Sequence, residues 1–409
     1  MTFPTATLGS LSLRGPQYGA NAKAVPRSGQ EPRYIRITDI DSHGNLNKAD
    51  VAADLHDPGP YFLREGDLLL ARSGNTVGKS YLHSDDQVPA VFAGYLIRFE
   101  IDPTRANPRF VFHFTKSEQY RTWVRSKMRA AGQPNINGTE YSSLEIPLPP
   151  LPEQHRIVEI LDQADALRQQ RRNAVEVSRK ILPALFHEMF GQQNTDPSKT
   201  IGEICTFVSG GTPSKSDASF WNGRIPWITP KDMKRIDLYD SADHVSEAAV
   251  AASRLKLLPA GTVLIVVRGM ILARTCPVGL THRPVTINQD MKGLIPNKGI
   301  DPQFLCWSLL TRQHELDSLI KTAAHGTKRF ETEALKNLPV HVPSLTSQLE
   351  FRDAAMNQAI RMEQQATSSA TLETLFQTLL HRAFDGSLTA TWREAHAKEM
   401  LQEMEHQAS

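Results

Sequence analysis

Cysteine is scarce in this chain: 409 residues hold only Cys205, Cys276 and Cys306. They stand too far apart for a Cys-x-x-Cys metal knuckle, and an odd number argues against a disulfide framework, so a reducing interior is the simple reading. Long apolar runs are missing as well. The longest, Val263 to Val267, has the length of a buried strand and ends at Arg268, so no membrane span is expected. The N-terminal MTFPTATLGSLSLRG lacks the basic start and apolar core of a signal peptide. An excess of one charge is absent too, because the net charge is +2. Its distribution says more: +2 for residues 1–150, 0 for 151–190, +4 for 191–345 and −4 for 346–409. Two mildly basic blocks and an acidic tail permit nucleic-acid binding without demanding it.

Catalytic signatures are also wanting. GNTVGKS (74–80) has three residues between glycine and Gly-Lys-Ser where a phosphate-cradling loop needs four. The only Pro-Pro, in LPPLP (148–152), has no acid or amide before it, as an amino-methyltransferase motif would need. Fourteen histidines form neither HxxxH nor HExxH, and the adjacent Asp85 and Asp86 read as surface charge. No constellation activates a nucleophile, so the chain by itself does not read as an enzyme. With 40% apolar and 7% aromatic residues it is nevertheless a folded protein.

Glycine is missing from one long stretch, and the chain is organised around it. After the prolines at 149 and 150, about 38 residues run to Gly191 without one. Positions spaced alternately four and three apart carry Ile157, Leu161, Ala164, Arg168, Arg171, Val175, Ser178, Leu182, Leu185 and Met189, seven of them apolar. That is the seam of a helix packed on one partner helix. At 1.5 Å per residue it is roughly 57 Å long. Pro183 is expected to bend or strain its last turns. Shifted by 194 residues the seam recurs as Phe351, Ala355, Gln358, Met362, Gln365, Ser369, Leu372, Phe376, Leu379 and Ala383, again seven apolar of ten. Ser347 and Glu350 have capping-box spacing, which predicts a start at residue 347 or 348. The two helices are natural partners for each other.

The blocks before each helix repeat too. In the first, RYIRITDI (33–40), GDLLLAR (66–72) and VFAGYLIRFEI (91–101) read as strands, and 109–128 has helical spacing of aromatics. In the second, IPWITPKDM (225–233), GTVLIVVRG (261–269), VTINQDMKGLI (285–295) and the helical 302–320 take the corresponding places. Frame positions recur while the loops diverge, as one scaffold reading two ligands would. The expected parts are residues 1–148, the helix 149–191, residues 192–345, the helix 346–385 and a tail, 386–409.

The loops interleave side chains able to pair with bases and phosphates. In the first block these are Tyr18, Asn21, Lys23, Arg72, Ser73, Asn75, Lys79, Gln133, Asn135 and Asn137, with Arg121, Arg125, Lys127 and Arg129 nearby in sequence. In the second they are Thr212, Ser214, Lys215, Lys231, Lys234, Arg235, Arg268, Arg274, Lys328 and Arg329. Arginine and lysine suit guanine edges or phosphates, and asparagine and glutamine suit adenine.

YGANAKA (18–24), RYIRITDI, GDLLLARSG (66–74) and LPPLPEQHRIVEILDQADAL (148–167), with VSGGTPSKS (208–216), IPWITPKDM, TINQDMKGL (286–294) and FDGSLTATWRE (384–394), carry a resemblance over nearly the whole chain. It resembles the specificity subunit of type I restriction-modification systems. Ser347 departs from the first copy's Glu153, so the entry to the second helix is expected to differ in detail. The resemblance implies an α+β protein: two similar target-recognition domains of mixed α/β structure, joined by two long antiparallel coiled-coil helices in a pseudo-twofold internal repeat. Such an arrangement puts the blocks at opposite ends of a helical ruler, reading two different half-sites about one helical turn apart on double-stranded DNA. It implies two methyltransferase subunits and two restriction/translocase subunits as partners, and a bacterial or archaeal cytoplasm. S-adenosylmethionine, ATP and Mg belong to those partners, none to this chain, and the target adenine is flipped into the methyltransferase. Partners that only methylate, or that cut outside the site, would leave this sequence the same. A coiled-coil adaptor without DNA is the reading from another class.

Overall fold

The computed structural model describes residues 3–84, 88–128, 134–191, 199–253, 255–322 and 326–398. It divides into two compact units, Met1–Arg172 with Thr367–Ser409, and Asn173–Ala366. Two helices, Leu151–Phe190 and Leu345–Phe384, each give one end to either unit. No helix among the described residues is long and apolar enough to cross a membrane.

In the first unit the apolar run of GDLLLAR becomes a central strand, Asp67–Ala71, buried at every position. Leu68 and Leu70 face one cluster with Ile97, Phe99 and Phe110, while Leu69 and Ala71 face another with Ile35 and Phe92. A strand buried on both faces cannot show polar alternation, which is why its sequence is continuously apolar. It lies in an antiparallel sheet ordered Gln17–Tyr18, Leu96–Glu100, Asp67–Ala71, Ser80–Leu82. Beside it, Arg33–Ile35 pairs in parallel with Ala90–Phe92. In the second unit Val263–Val266 is the buried central strand, between Met291–Pro296 and Val278–Thr281. Ile225–Ile228 pairs in parallel with Thr286–Ile287.

Two expected elements are divided. The stretches 91–101 and 285–295, read as one strand each, split into Ala90–Phe92 with Leu96–Glu100 and Thr286–Ile287 with Met291–Pro296. The chain changes sheet at a turn: Leu96 N donates to Ala93 O at 2.8 Å, and Asp290 N to the Asn288 side chain at 3.1 Å. The helical stretch 109–128 is likewise two helices, Pro108–Phe114 and Glu118–Met128, because Ser117 Oγ accepts from Tyr120 N and starts the second. In the other unit Pro302–Leu310 and Gln313–Ser318 repeat the break.

The long helices run antiparallel within each unit. In the first, Glu153 meets Thr389 and Arg393, whereas Arg168 meets Glu373. In the second, Ser178 meets Gln358 and Gln365, while Phe186 packs on Phe351. Ile157, Leu161, Phe351 and Phe376 of the seam are buried; Ala164, Val175, Leu182, Leu185, Met362, Leu372 and Leu379 are half-buried. The buried polar seam residues Arg168, Ser178 and Gln358 have partners. Arg168 pairs with Asp165 and Glu373 and lies 3.9 Å from the Phe376 ring centroid, and Ser178 accepts through both its carbonyl and its hydroxyl. Such polar contacts fix register between otherwise slippery apolar faces. The first helix continues through Pro183.

The expected start of the second helix is corrected. It begins at Leu345, because Ser344 takes the capping place and its Oγ accepts from Ser347 N at 3.2 Å. Ser347, expected as the cap, stands three residues inside it. A second device is common to both helices. Gln154 is buried; its Oε1 accepts from Asn107 N at 2.8 Å and its Nε2 donates to Pro149 O at 2.8 Å. Gln348 does the same with Asp301 N, at 2.8 Å, and Pro343 O, at 3.0 Å. Asn107 and Asp301 are the caps of the helices Pro108–Phe114 and Pro302–Leu310. Each glutamine therefore ties a long helix to the first helix of its own unit.

Candidate nucleic-acid interface

The end of each central strand leads into a frame of backbone hydrogen bonds. In the first unit Arg72 N donates to Tyr95 O (3.0 Å), and Arg72 O accepts from Ile136 N (2.8 Å). In the second, Val267 N donates to Asp290 O (2.8 Å), and Val267 O accepts from Phe330 N (2.8 Å). Next along the chain Ser73 bridges to Asn135, and Arg268 to Arg329. A glycine closes the frame. A Cβ on Gly19 would lie 2.3 Å from Ala93 O, and one on Gly210 2.1 Å from Asn288 O, so only glycine permits this approach. The two units thus share a backbone that presents different side chains.

In the first unit the frame gathers most of the predicted residues. Tyr18, Asn21, Arg72, Ser73 and Asn135 line one concavity with Gly94 and Tyr95, and Asn75 lines its neighbour with Ser73, Tyr95 and Asn135. The Arg72 guanidinium lies 4.8 Å from the Tyr18 ring centroid, and its Nε donates to Asn135 Oδ1 at 3.4 Å. Tyr18 is fixed in turn, because its hydroxyl accepts from Gly138 N at 2.9 Å. Lys79 is not part of the group: its Nζ turns inward and donates to Ile40 O at 2.7 Å. Lys23 is exposed beside the strand Ala24–Pro26, outside the concavity. Asn137 caps the helix Gly138–Ser142. Arg121 and Arg125 are engaged with Glu118. Gln133 and Arg129, like Asp85 and Asp86, lie outside the described residues.

In the second unit two tryptophans hold the loop that carries Thr212, Ser214 and Lys215. Trp227 Nε1 donates to Gly211 O and Trp221 Nε1 to Ser214 O, both at 3.0 Å. Thr212 Oγ1 donates to Gln289 Oε1 at 2.5 Å, beside the frame. Arg268 and Arg329 are joined through their main chains and exposed. Lys328 donates to Thr322 Oγ1 within the hairpin Ile320–Thr322 and Lys328–Phe330. Lys215, Lys234, Arg235 and Arg274 are exposed, and Lys231 stands 3.5 Å from Asp243.

Sequence reasoning missed Tyr95, Gln289 and Lys292. Tyr95 is 61% exposed and stands between the two concavities, but a single aromatic after a glycine gives no signal by itself. Lys292 donates to Ser209 Oγ at 2.5 Å; burial first, then Lys336 and Arg268, lower its pKa. Among the described residues no group of three or more His, Cys, Asp or Glu side chains could hold a metal ion. All three cysteines are buried and unpaired, and burial pushes the Cys205 and Cys276 thiols up to about 12.

Residues 55–177 and 197–358 match the type I restriction modification DNA specificity domain, and the chain belongs to that family. The specificity subunit of the type I restriction enzyme EcoR124I/EcoR124II from Escherichia coli is 33% identical over 52% of this chain and 54% of its own length. That of MjaIX from Methanocaldococcus jannaschii is 30% identical over 36% of this chain and 33% of its own length. The chain thus spans between a third and about half of these two relatives. A chain from a solved type I R-M system shares the fold, with a TM-score of 0.61 at 20% identity over 95% of this chain and 98% of that one. The S subunit of a type I restriction-modification system from M. genitalium follows with 0.56, at 17% identity over 94% and 96%.

Proposed function

We propose that this chain is the non-catalytic DNA-reading subunit of a type I restriction-modification complex, its two units reading the two different halves of one bipartite target. The observation that carries this is the shared frame. Arg72, Tyr95 and Asn135 in one unit stand where Val267, Asp290 and Arg329 stand in the other, on matching hydrogen bonds. Equal backbones with unequal side chains suit two half-sites of different sequence. The predicted DNA-facing residues Tyr18, Asn21, Arg72, Ser73, Asn75 and Asn135 form the first reading surface, and Thr212, Arg268 and Arg329 are central to the second. Lys23, Ser214, Lys215, Lys231, Lys234, Arg274 and Lys328 supply phosphate contacts around them.

Methyltransferase and restriction subunits are the proposed partners, and S-adenosylmethionine and ATP chemistry is theirs. The long helices leave apolar side chains uncovered where such partners would dock: Leu167 and Leu375 in the first unit, Val177, Ile181, Met356 and Ile360 in the second. The test is to co-express the chain with its methyltransferase subunit and sequence the host DNA for methylated adenine. A single bipartite motif with a fixed spacer, lost on deleting residues 1–148 or 192–340, is the expected result. An assembled complex that neither methylates nor binds DNA would replace this reading with that of a coiled-coil adaptor.

A further inference from the structure

Arg72 is a half-buried cation of the first unit with no counter-ion among the described residues. The guanidiniums of Arg36, Arg98 and Arg168 face Asp39, Asp67 and Glu373, and that of Arg33 is spent on Asn47 O and Ala49 O. Arg72 is fixed by other means: the Tyr18 ring, the Asn135 amide, and main-chain bonds to Tyr95 and Ile136. Among the described residues no carboxylate pairs with it and no acceptor takes its two terminal nitrogens. Ring and amide together set the plane of the guanidinium, and its open fork stays in the concavity with Asn21 and Tyr95.

Resting on the DNA-reading function proposed above, we infer that Arg72 is the specificity-determining residue of the first unit and that it recognises guanine through O6 and N7. A fixed plane with two free N–H groups matches the planar acceptor pair that guanine alone presents in the major groove. A phosphate offers acceptors in many directions and would not require the plane to be set. In the second unit Val267 occupies this place on the same backbone bonds, so the matching position of the other half-site is read without this contact.

The assembled complex of the chain with its methyltransferase subunits is titrated with duplexes carrying the target, each with one base pair replaced. A further duplex carries 7-deazaguanine, which lacks N7, at each guanine in turn. In the wild type, one guanine of one half-site should be worth roughly tenfold to a hundredfold in affinity, and its deaza form should lose much of that. Arg72→Gln should abolish the preference for guanine at that position alone, and Arg72→Lys, which keeps a donor but not the planar fork, should weaken it. The other half-site, still read by the same molecule, reports that the complex is folded. The inference is overturned if no deaza substitution weakens wild-type binding. It is equally overturned if Arg72→Gln leaves the base profile unchanged, or weakens all duplexes alike with a salt slope lower by about one, the mark of a phosphate contact. A wild-type complex without any sequence preference would instead remove the DNA-reading function itself.

Discussion

Asn21 packs its amide against Gly94 in the first unit, where a Cβ would sit only 2.3 Å from Asn21 Oδ1. In the second unit the shorter Thr212 reaches Gln289, the longer side chain now standing on the turn. Beneath both pairs the backbone is the same, down to the glycine that lets two segments of the chain touch. The difference between the units therefore lies in side chains at the rim, and the likeness in buried backbone bonds. Unpaired buried N–H and C=O groups are costly, so the frame cannot drift, whereas rim residues exchange at little cost to folding. A scaffold built this way can change what it reads without changing how it stands.

The units also differ in how their long helix is anchored, and the largest expected effect breaks that asymmetry. Glu153 is fully buried and accepts from Thr389 and Arg393. Its counterpart in the second unit is Ser347, which needs no such partner. Arg393→Ala leaves a buried carboxylate unpaired and should destabilise the first unit by about 3–5 kcal/mol. Hydrogen exchange would show protection lost around residues 145–160 and kept around 339–355. Equal loss in both regions would mean the units are not independently anchored.

A smaller effect sharpens the likeness. Gln154→Leu and Gln348→Leu each strand a helix-cap N–H and a proline carbonyl, and each should cost roughly 1–3 kcal/mol. The two values should agree, because the geometry is the same to within 0.2 Å. Chemical denaturation of the single variants measures this, and a cost in only one unit would show that the repeat is one of shape alone.

The third effect is a pH dependence that Lys116 brings to the first unit. Lys116 donates to His43 O at 2.6 Å and lies 4.1 Å from the Phe112 ring centroid. Burial, opposed in part by Asp165 and Asp41, lowers its pKa from 10.5 to about 7. Below about pH 7 the folded and unfolded chains both hold this proton. Between about 7 and 10.5 only the unfolded chain does, so the first unit gains stability as pH rises through that window. Lys116→Met should flatten the gain when melting of the first unit is followed from pH 7 to pH 9; the second unit has Leu310 at this place. A slope unchanged in the variant would assign the gain to other groups.

Much of this was legible in the sequence. The glycine-free stretch and its repeat gave two long helices, since a seam of alternating four and three spacing has no other stable use. The apolar runs of 66–72 and 261–269 gave the central strands. What sequence could not show depended on residues meeting across the fold. Lys79 resembles a phosphate-binding lysine in GNTVGKS, yet it is spent on Ile40 O. Arg72 follows one strand and Tyr95 stands on the turn before another, and they become one site only where Arg72 N finds Tyr95 O. Ser344 outcompeted Ser347 as the helix cap because the turn after Pro343 placed its hydroxyl first.

By itself, then, the sequence determined the repeat, the two long helices and the buried central strands. These follow from periodicity and composition, which are local and survive without knowledge of neighbours. Only the tertiary structure decided which polar side chains are consumed inside and which remain free at the rim. A side chain's hydrogen-bonding capacity is spent on whatever the fold brings within about 3 Å of it, and no linear pattern records that.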